Sequence, residues 1–171
     1  MNIREHHSII IEKYPYFESL NKKLLKDVEE VDYSLSYKTN VKAKMSSWRT
    51  TSTSSMDIVK DWVISILHIK YSWIYEEKYK LFFPELWFAE YNKNDHANIH
   101  DHTPFSWSFV YFIQCPKGSA PLIFTSSGKK IKAEEGKIVI FPSSVKHHVP
   151  TNKCNDRIVM AGNICIDTRG W

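Results

Sequence analysis

The spacing of apolar residues changes once along this chain. In the first half it follows helical intervals: Phe17 to Val28 has one apolar stripe, and Met56 to Tyr75 has another, broader one built from Ile58, Val59, Trp62, Val63, Ile66 and Leu67. Ser54 or Ser55 is expected to cap the second helix. The run Ile9-Ile10-Ile11 has the character of a packing segment. Val31-Asp32-Tyr33-Ser34-Leu35-Ser36-Tyr37 alternates like a strand, and the Ser- and Thr-rich stretch from Ser46 to Ser55 predicts a loop.

From Phe83 onward the spacing is that of strands. Leu86 to Tyr91, Trp107 to Ile113, Leu122 to Thr125, Lys137 to Phe141 and Arg157 to Ala161 are short aromatic or β-branched runs. Asn92 to Asp95, Cys115-Pro116-Lys117-Gly118, Ser127-Gly128, Glu134-Glu135-Gly136 and Asn152 to Asp156 separate them with turn chemistry. Short strands at even spacing predict a mainly β fold with N-terminal helices, a jelly roll or cupin-like double-stranded β-helix with the helices outside it. At 171 residues the chain is expected to form a single domain, 1–171, with 1–82 as a mixed helical support region and 83–171 as the β core.

Composition narrows the function classes. A hydrophobic share of 43% indicates a packed core, and no apolar run reaches the length of a membrane helix. Met1 to His7 is too polar to open a secretory signal, so a cytoplasmic location is the expectation, the host cytoplasm if the gene is carried by a phage. Cys115, Cys154 and Cys165 are odd in number and show no paired spacing, which reads as free thiols. A net charge of +4, with Lys129, Lys130 and Lys132 on a strand or hairpin face, falls short of the basic footprint of a nucleic-acid-binding protein.

The chemistry lies in two histidine segments, Asn98-Ile99-His100-Asp101-His102-Thr103-Pro104 and Phe141 to Pro150, the latter carrying His147 and His148. On a strand, side chains alternate faces, so His100 and His102 share a side and Asp101 points away. A third ligand from a distant strand, His147, would complete a metal site inside a β-barrel. His6, His7, His68, His96 and His148 read as surface residues, and Trp87, Trp107, Phe109 and Phe141 as core. Asn98 and Asn163 suit either a turn or the orientation of neighbouring ligands.

The order of these features resembles the iron(II)- and 2-oxoglutarate-dependent oxygenases. It runs through the histidine pair, Ser108-Phe109-Val110-Tyr111-Phe112, Pro116-x-Gly118-Ser119-x-x-Leu122-x-Phe124, Glu135-Gly136-x-Ile138-Val139-Ile140-Phe141-Pro142, His147-x-Val149 and Arg157. The likeness covers about Trp87 to Asn163 and is nearest to the small oxygenases of marine bacteria and their phages, within the prolyl-hydroxylase-like group. It implies Fe(II) held by His100 and His147, with 2-oxoglutarate and O2 as co-substrates. It further implies that Arg157 binds the distal carboxylate and that Tyr111 donates to the same group. The reaction it implies is hydroxylation of a carbon on a small-molecule or peptidyl substrate, such as an amino-acid side chain.

The family's usual pair is His-x-Asp, whereas here His102 holds the second position. Strand alternation favours His100, His102 and His147 as ligands, and a bulge would instead bring Asp101 inward. A three-histidine set also matches cupin-like metal dioxygenases that need no 2-oxoglutarate, and a non-enzymatic binding jelly roll would need neither metal nor arginine.

Overall fold

The structure is a computed structural model, and it describes residues 7–77 and 79–167; His6 lies outside them. In chain order the elements are β1 (Ile10–Lys13), α1 (Phe17–Glu30), β2 (Val41–Lys42), β3 (Lys44–Met45), α2 (Ser54–Lys70), α3 (Ser72–Glu76) and β4 (Lys80–Tyr91). They continue with β5 (His96–His100), β6 (Trp107–Gln114), β7 (Leu122–Phe124), β8 (Lys130–Ile131), β9 (Lys137–Pro142), β10 (His147–Val149) and β11 (Arg157–Asp167). Two antiparallel sheets result, a large one in the order β1-β9-β6-β11-β4-β3 and a small one in the order β2-β5-β10-β7-β8. They face each other as a jelly roll. The closed barrel expected around the metal site does not form; each sheet keeps its edges.

Two apolar layers hold this together. Between the sheets lie Trp87, Ala89, Phe112, Leu122, Phe124, Phe141 and Val159. Behind the large sheet, Leu20 and Leu24 of α1 and Val59, Val63 and Leu67 of α2 pack on Phe88, Phe109, Tyr111, Ile138 and Met160. The central strands of the large sheet are therefore buried on both faces, which explains their almost continuous apolar sequence. The support region is woven into the sheets: β1 pairs with β9, β2 with β5 and β3 with β4, and position 82/83 falls inside β4.

Three local expectations change. Val31 to Tyr37 forms turns, because the Ser36 hydroxyl donates to Tyr33 O (2.8 Å) and accepts from Met45 N (3.1 Å), offering the backbone a local alternative to a ladder. The cap of α2 is Thr53, whose Oγ1 accepts from Met56 N, while Ser55 donates to Asp27. The helix ends at Lys70, and Tyr71, at φ −130°, separates it from α3.

One turn fastens the helices to the jelly roll. Gly136 sits at φ +79°, its carbonyl accepts from Tyr14 N (2.9 Å), and a methyl group added at its Cα would land on Cβ and Cγ of Phe17 at the start of α1. Gly136→Ala is expected to lower stability by about 2–4 kcal/mol, from the left-handed backbone and the overlap together. Urea unfolding would check this, and an unchanged midpoint would contradict it.

Candidate metal centre

His100 ends β5 and stands opposite His147 of β10 in register, so strand pairing alone brings these two imidazoles together across the small sheet. His102 lies just beyond the strand. Its backbone N–H donates to Ser143 O (2.7 Å) in the turn before β10, which folds the segment back and returns the ring to the same side. The ring centroids are 4.5 Å apart for His100 and His147, 5.0 Å for His100 and His102, and 5.1 Å for His102 and His147. One ligand nitrogen from each ring lies within 4.8 Å of the others.

Hydrogen bonds orient two of these rings. His100 Nδ1 lies 2.7 Å from Asn98 O and His147 Nδ1 lies 3.0 Å from Val145 O. A carbonyl only accepts, so both rings carry their proton on Nδ1 and keep the Nε2 lone pair for the centre. Asn98 thus contributes through its backbone. His102 rests against Trp87, ring centroids 5.8 Å apart.

Burial also keeps the cluster neutral. His102 is pushed down to about 3 by burial and then by its two imidazole neighbours, and His147 to about 4 by burial and His100; His100 shifts downward too, mainly by burial. Unfolded, these groups titrate near 6.5. Protons therefore bind the unfolded chain more tightly between about pH 6.5 and pH 4, and stability falls as pH drops through that window. The metal-free protein should lose on the order of 2–4 kcal/mol between pH 7 and pH 5 through His102 and His147. A melting temperature that stays level over this range would contradict the shifts.

Asp101 is exposed and is not part of the ligand cluster, its carboxylate accepting from Thr103 N at 3.2 Å. Its carboxyl is held below the usual range chiefly by bonds to Thr103. His7 is exposed, and His68, His96 and His148 are half-buried outside the cluster.

The same three imidazoles line a cavity of about 40 Å³ whose other wall holds Arg157 and Tyr91. Arg157 opens β11 and is 1% exposed. Its Nε donates to Ala120 O (3.0 Å), its Cζ lies 4.6 Å from the Tyr91 ring centre, and its Nη1 is buried with no hydrogen-bond partner among the described residues. Among the described residues, those that act on its charge are Tyr91, Cys115 and Cys154, none of them a carboxylate. A buried guanidinium without a counter-ion is costly unless an anion is meant to meet it. The residues therefore fit both groups, a divalent metal at the neutral imidazoles and a carboxylate at Arg157.

Tyr111 is a correction. It faces the helices, donating its hydroxyl to Asn21 Oδ1 (2.8 Å) behind the large sheet, and burial holds its phenol above the usual range. The phenol in the cavity is Tyr91, paired in register with Arg157.

Neither a protein-family model nor a curated protein sequence matches the chain. Solved structures do match. A Pseudomonas putida prolyl-4-hydroxylase superposes with a TM-score of 0.70 at 16% identity, covering 93% of this chain and 92% of its own. The viral collagen prolyl hydroxylase of Paramecium bursaria Chlorella virus-1, in complex with 2-oxoglutarate, gives 0.69 at 15% identity, with 90% and 94% covered. This is the prolyl-hydroxylase fold. HygX of Streptomyces hygroscopicus, solved with nickel, 2-oxoglutarate and hygromycin B bound, shares it at 0.67 and 8% identity, with 93% and 83% covered.

Within this prolyl-hydroxylase fold four further polar residues form a hydrogen-bonded chain that runs from the buried Ser143 to the half-buried Glu85. Ser143 Oγ lies 2.8 Å from Ser108 Oγ, Ser108 donates to Asn163 Oδ1 (2.7 Å), and Asn163 Nδ2 donates to Glu85 Oε2 (2.6 Å). Asn163 thus braces the turn that receives His102. Sequence reasoning missed both Glu85 and Tyr91. The signal for Glu85 was a carboxylate set among the apolar residues of β4.

Proposed function

We propose that the chain is an iron(II)- and 2-oxoglutarate-dependent oxygenase that hydroxylates a carbon of a small-molecule or peptidyl substrate. The observation that carries this reading is the pairing, in one cavity, of three neutral imidazoles with a buried arginine that has no counter-ion among the described residues. His100, His102 and His147 would ligate the metal through one face, leaving its remaining positions for co-substrate and oxygen. When bound, ferrous iron would supply the oxygen activation that couples 2-oxoglutarate decarboxylation to oxidation of the substrate.

The chain's own residues do the rest. Arg157 Nη1 meets the distal carboxylate of 2-oxoglutarate, and its position is held by Ala120 O and the Tyr91 ring. Trp87, Val159 and Leu122 keep the cavity wall apolar, which excludes water from the co-substrate. Asn98 O and Val145 O keep His100 and His147 in the ligating tautomer.

The three-histidine set keeps a second reading open, a cupin-like dioxygenase with no use for 2-oxoglutarate; the buried Arg157 Nη1, facing the same cavity, favours the first. Anaerobic titration with ferrous iron and then 2-oxoglutarate separates them. The weak visible charge-transfer band of the chelate is expected after the second addition, and a metal-bound protein that never develops it would overturn the first reading.

A further inference from the structure

A second cavity, about 200 Å³, shares Val41, Trp87, His100 and His102 with the first and does not include Arg157 among its walls. It is open to solvent, and its walls add Trp48, Glu85, Asp101, Phe105 and Asn163. Two features set its character. Among the described residues, no lysine or arginine lines it, although the chain as a whole carries a net charge of +4. Trp48, at its rim, is 43% exposed, an unusual position for an indole.

Glu85 is held rigidly here. One carboxylate oxygen accepts from Asn163 Nδ2 at 2.6 Å, and a carboxylate only accepts, so the amide of Asn163 is fixed with its oxygen toward Ser108. Ser108 spends its single proton on that oxygen, and Ser143 therefore donates to Ser108. Asn163 and Ser108 are each 1% exposed and Ser143 is fully buried, so the carboxylate stands on a dry, fully satisfied base. No cation pairs with Glu85 among the described residues. Asp101 adds negative charge at the rim but has Lys146 nearby, so Glu85 carries the argument.

We infer that this groove receives the substrate, and that the substrate presents an ammonium or guanidinium group to Glu85 and the Trp48 ring while its oxidised carbon lies at the histidines. The inference rests on the oxygenase reading. A fixed carboxylate and an exposed indole are the two protein groups that bind such cations best, by charge-assisted hydrogen bonds and by attraction to the ring face. The two ends of the site then have opposite charge, with Arg157 for an anionic co-substrate and Glu85 for a cationic substrate. This arrangement also prevents a second 2-oxoglutarate from occupying the outer groove.

Near-isosteric pairs that differ in charge test it: Nα-acetyl-arginine amide against Nα-acetyl-citrulline amide, and Nα-acetyl-lysine amide against Nα-acetyl-norleucine amide. Binding is measured by calorimetry to the protein loaded with manganese and 2-oxoglutarate. The cationic member of at least one pair is expected to bind about tenfold or more tightly than its neutral partner. Glu85→Gln keeps an acceptor for Asn163 and should abolish that preference; Trp48→Ala, at an exposed position, should reduce it in a protein with unchanged circular dichroism. Equal binding within both pairs, or no binding by any of the four, overturns the substrate class. Failure of manganese and 2-oxoglutarate to load in the same samples overturns the oxygenase reading beneath it instead.

Discussion

Replacing His147 by alanine is expected to reduce bound iron from about one per chain to less than a tenth after anaerobic reconstitution, measured by elemental analysis. His147 is the proposed ligand that joins the two segments of the site. It is 3% exposed, and its strand pairs with β5 at His100 and with β7 at Phe124. Without it, two imidazoles remain, both from the stretch between Asn98 and Pro104 and one of them beyond the end of the strand. Two neutral donors with no third cannot compete with water for a divalent ion at micromolar concentration. The jelly roll should survive the change, because Phe124, Phe141 and Phe112 fill the layer between the sheets independently of the metal. A folded variant that keeps its iron would remove His147 from the site.

Arg157→Ala is expected to weaken 2-oxoglutarate binding by about 2–4 kcal/mol while leaving metal content unchanged. The guanidinium is enclosed, its Nη1 has no hydrogen-bond partner among the described residues, and the groups around it are aromatic rings, thiols and one carbonyl. A charge-assisted contact in such surroundings is screened little by solvent. Tyr111→Phe is the matching control: its hydroxyl is committed to Asn21 behind the sheet, so co-substrate affinity should not move. Calorimetry with manganese in place of iron measures both. Equal affinity in wild type and Arg157→Ala, or a loss in Tyr111→Phe like that in Arg157→Ala, would contradict the placement.

The contrast between Arg157 and Tyr111 marks how far the sequence could be read. The histidines were read from strand alternation and Arg157 from the family resemblance, and the structure brings all four onto one cavity. Tyr111 failed because β6 is buried on both faces, so its apolar run contains no alternation to say which residues point inward. The inward set is Val110 and Phe112, and Trp107, Phe109 and Tyr111 face the helices. His102 reached the predicted side for a different reason from the one alternation offers. The strand stops at His100, and the bond from His102 N to Ser143 O turns the chain.

The strands of the core were legible, but those formed by the support region were not. β2 and β3 are two residues each, and β1 is an edge strand with three of its four residues exposed. Such segments are strands because of their partners, and their own pattern carries little signal. Glu85 was hidden in the same way, since its role depends on Asn163 and Ser108, both far away along the chain.

His100, His102 and His147, and no carboxylate, are proposed to hold one metal ion beside a 2-oxoglutarate site at Arg157. Crystals grown anaerobically with ferrous iron and 2-oxoglutarate, with diffraction recorded at the iron absorption edge, test it directly. One anomalous peak per chain is expected at bonding distance from the three Nε2 atoms, with a co-substrate carboxylate on Arg157 Nη1. A peak coordinated by Asp101 in place of His102, or no peak among these residues in iron-loaded crystals, would contradict it.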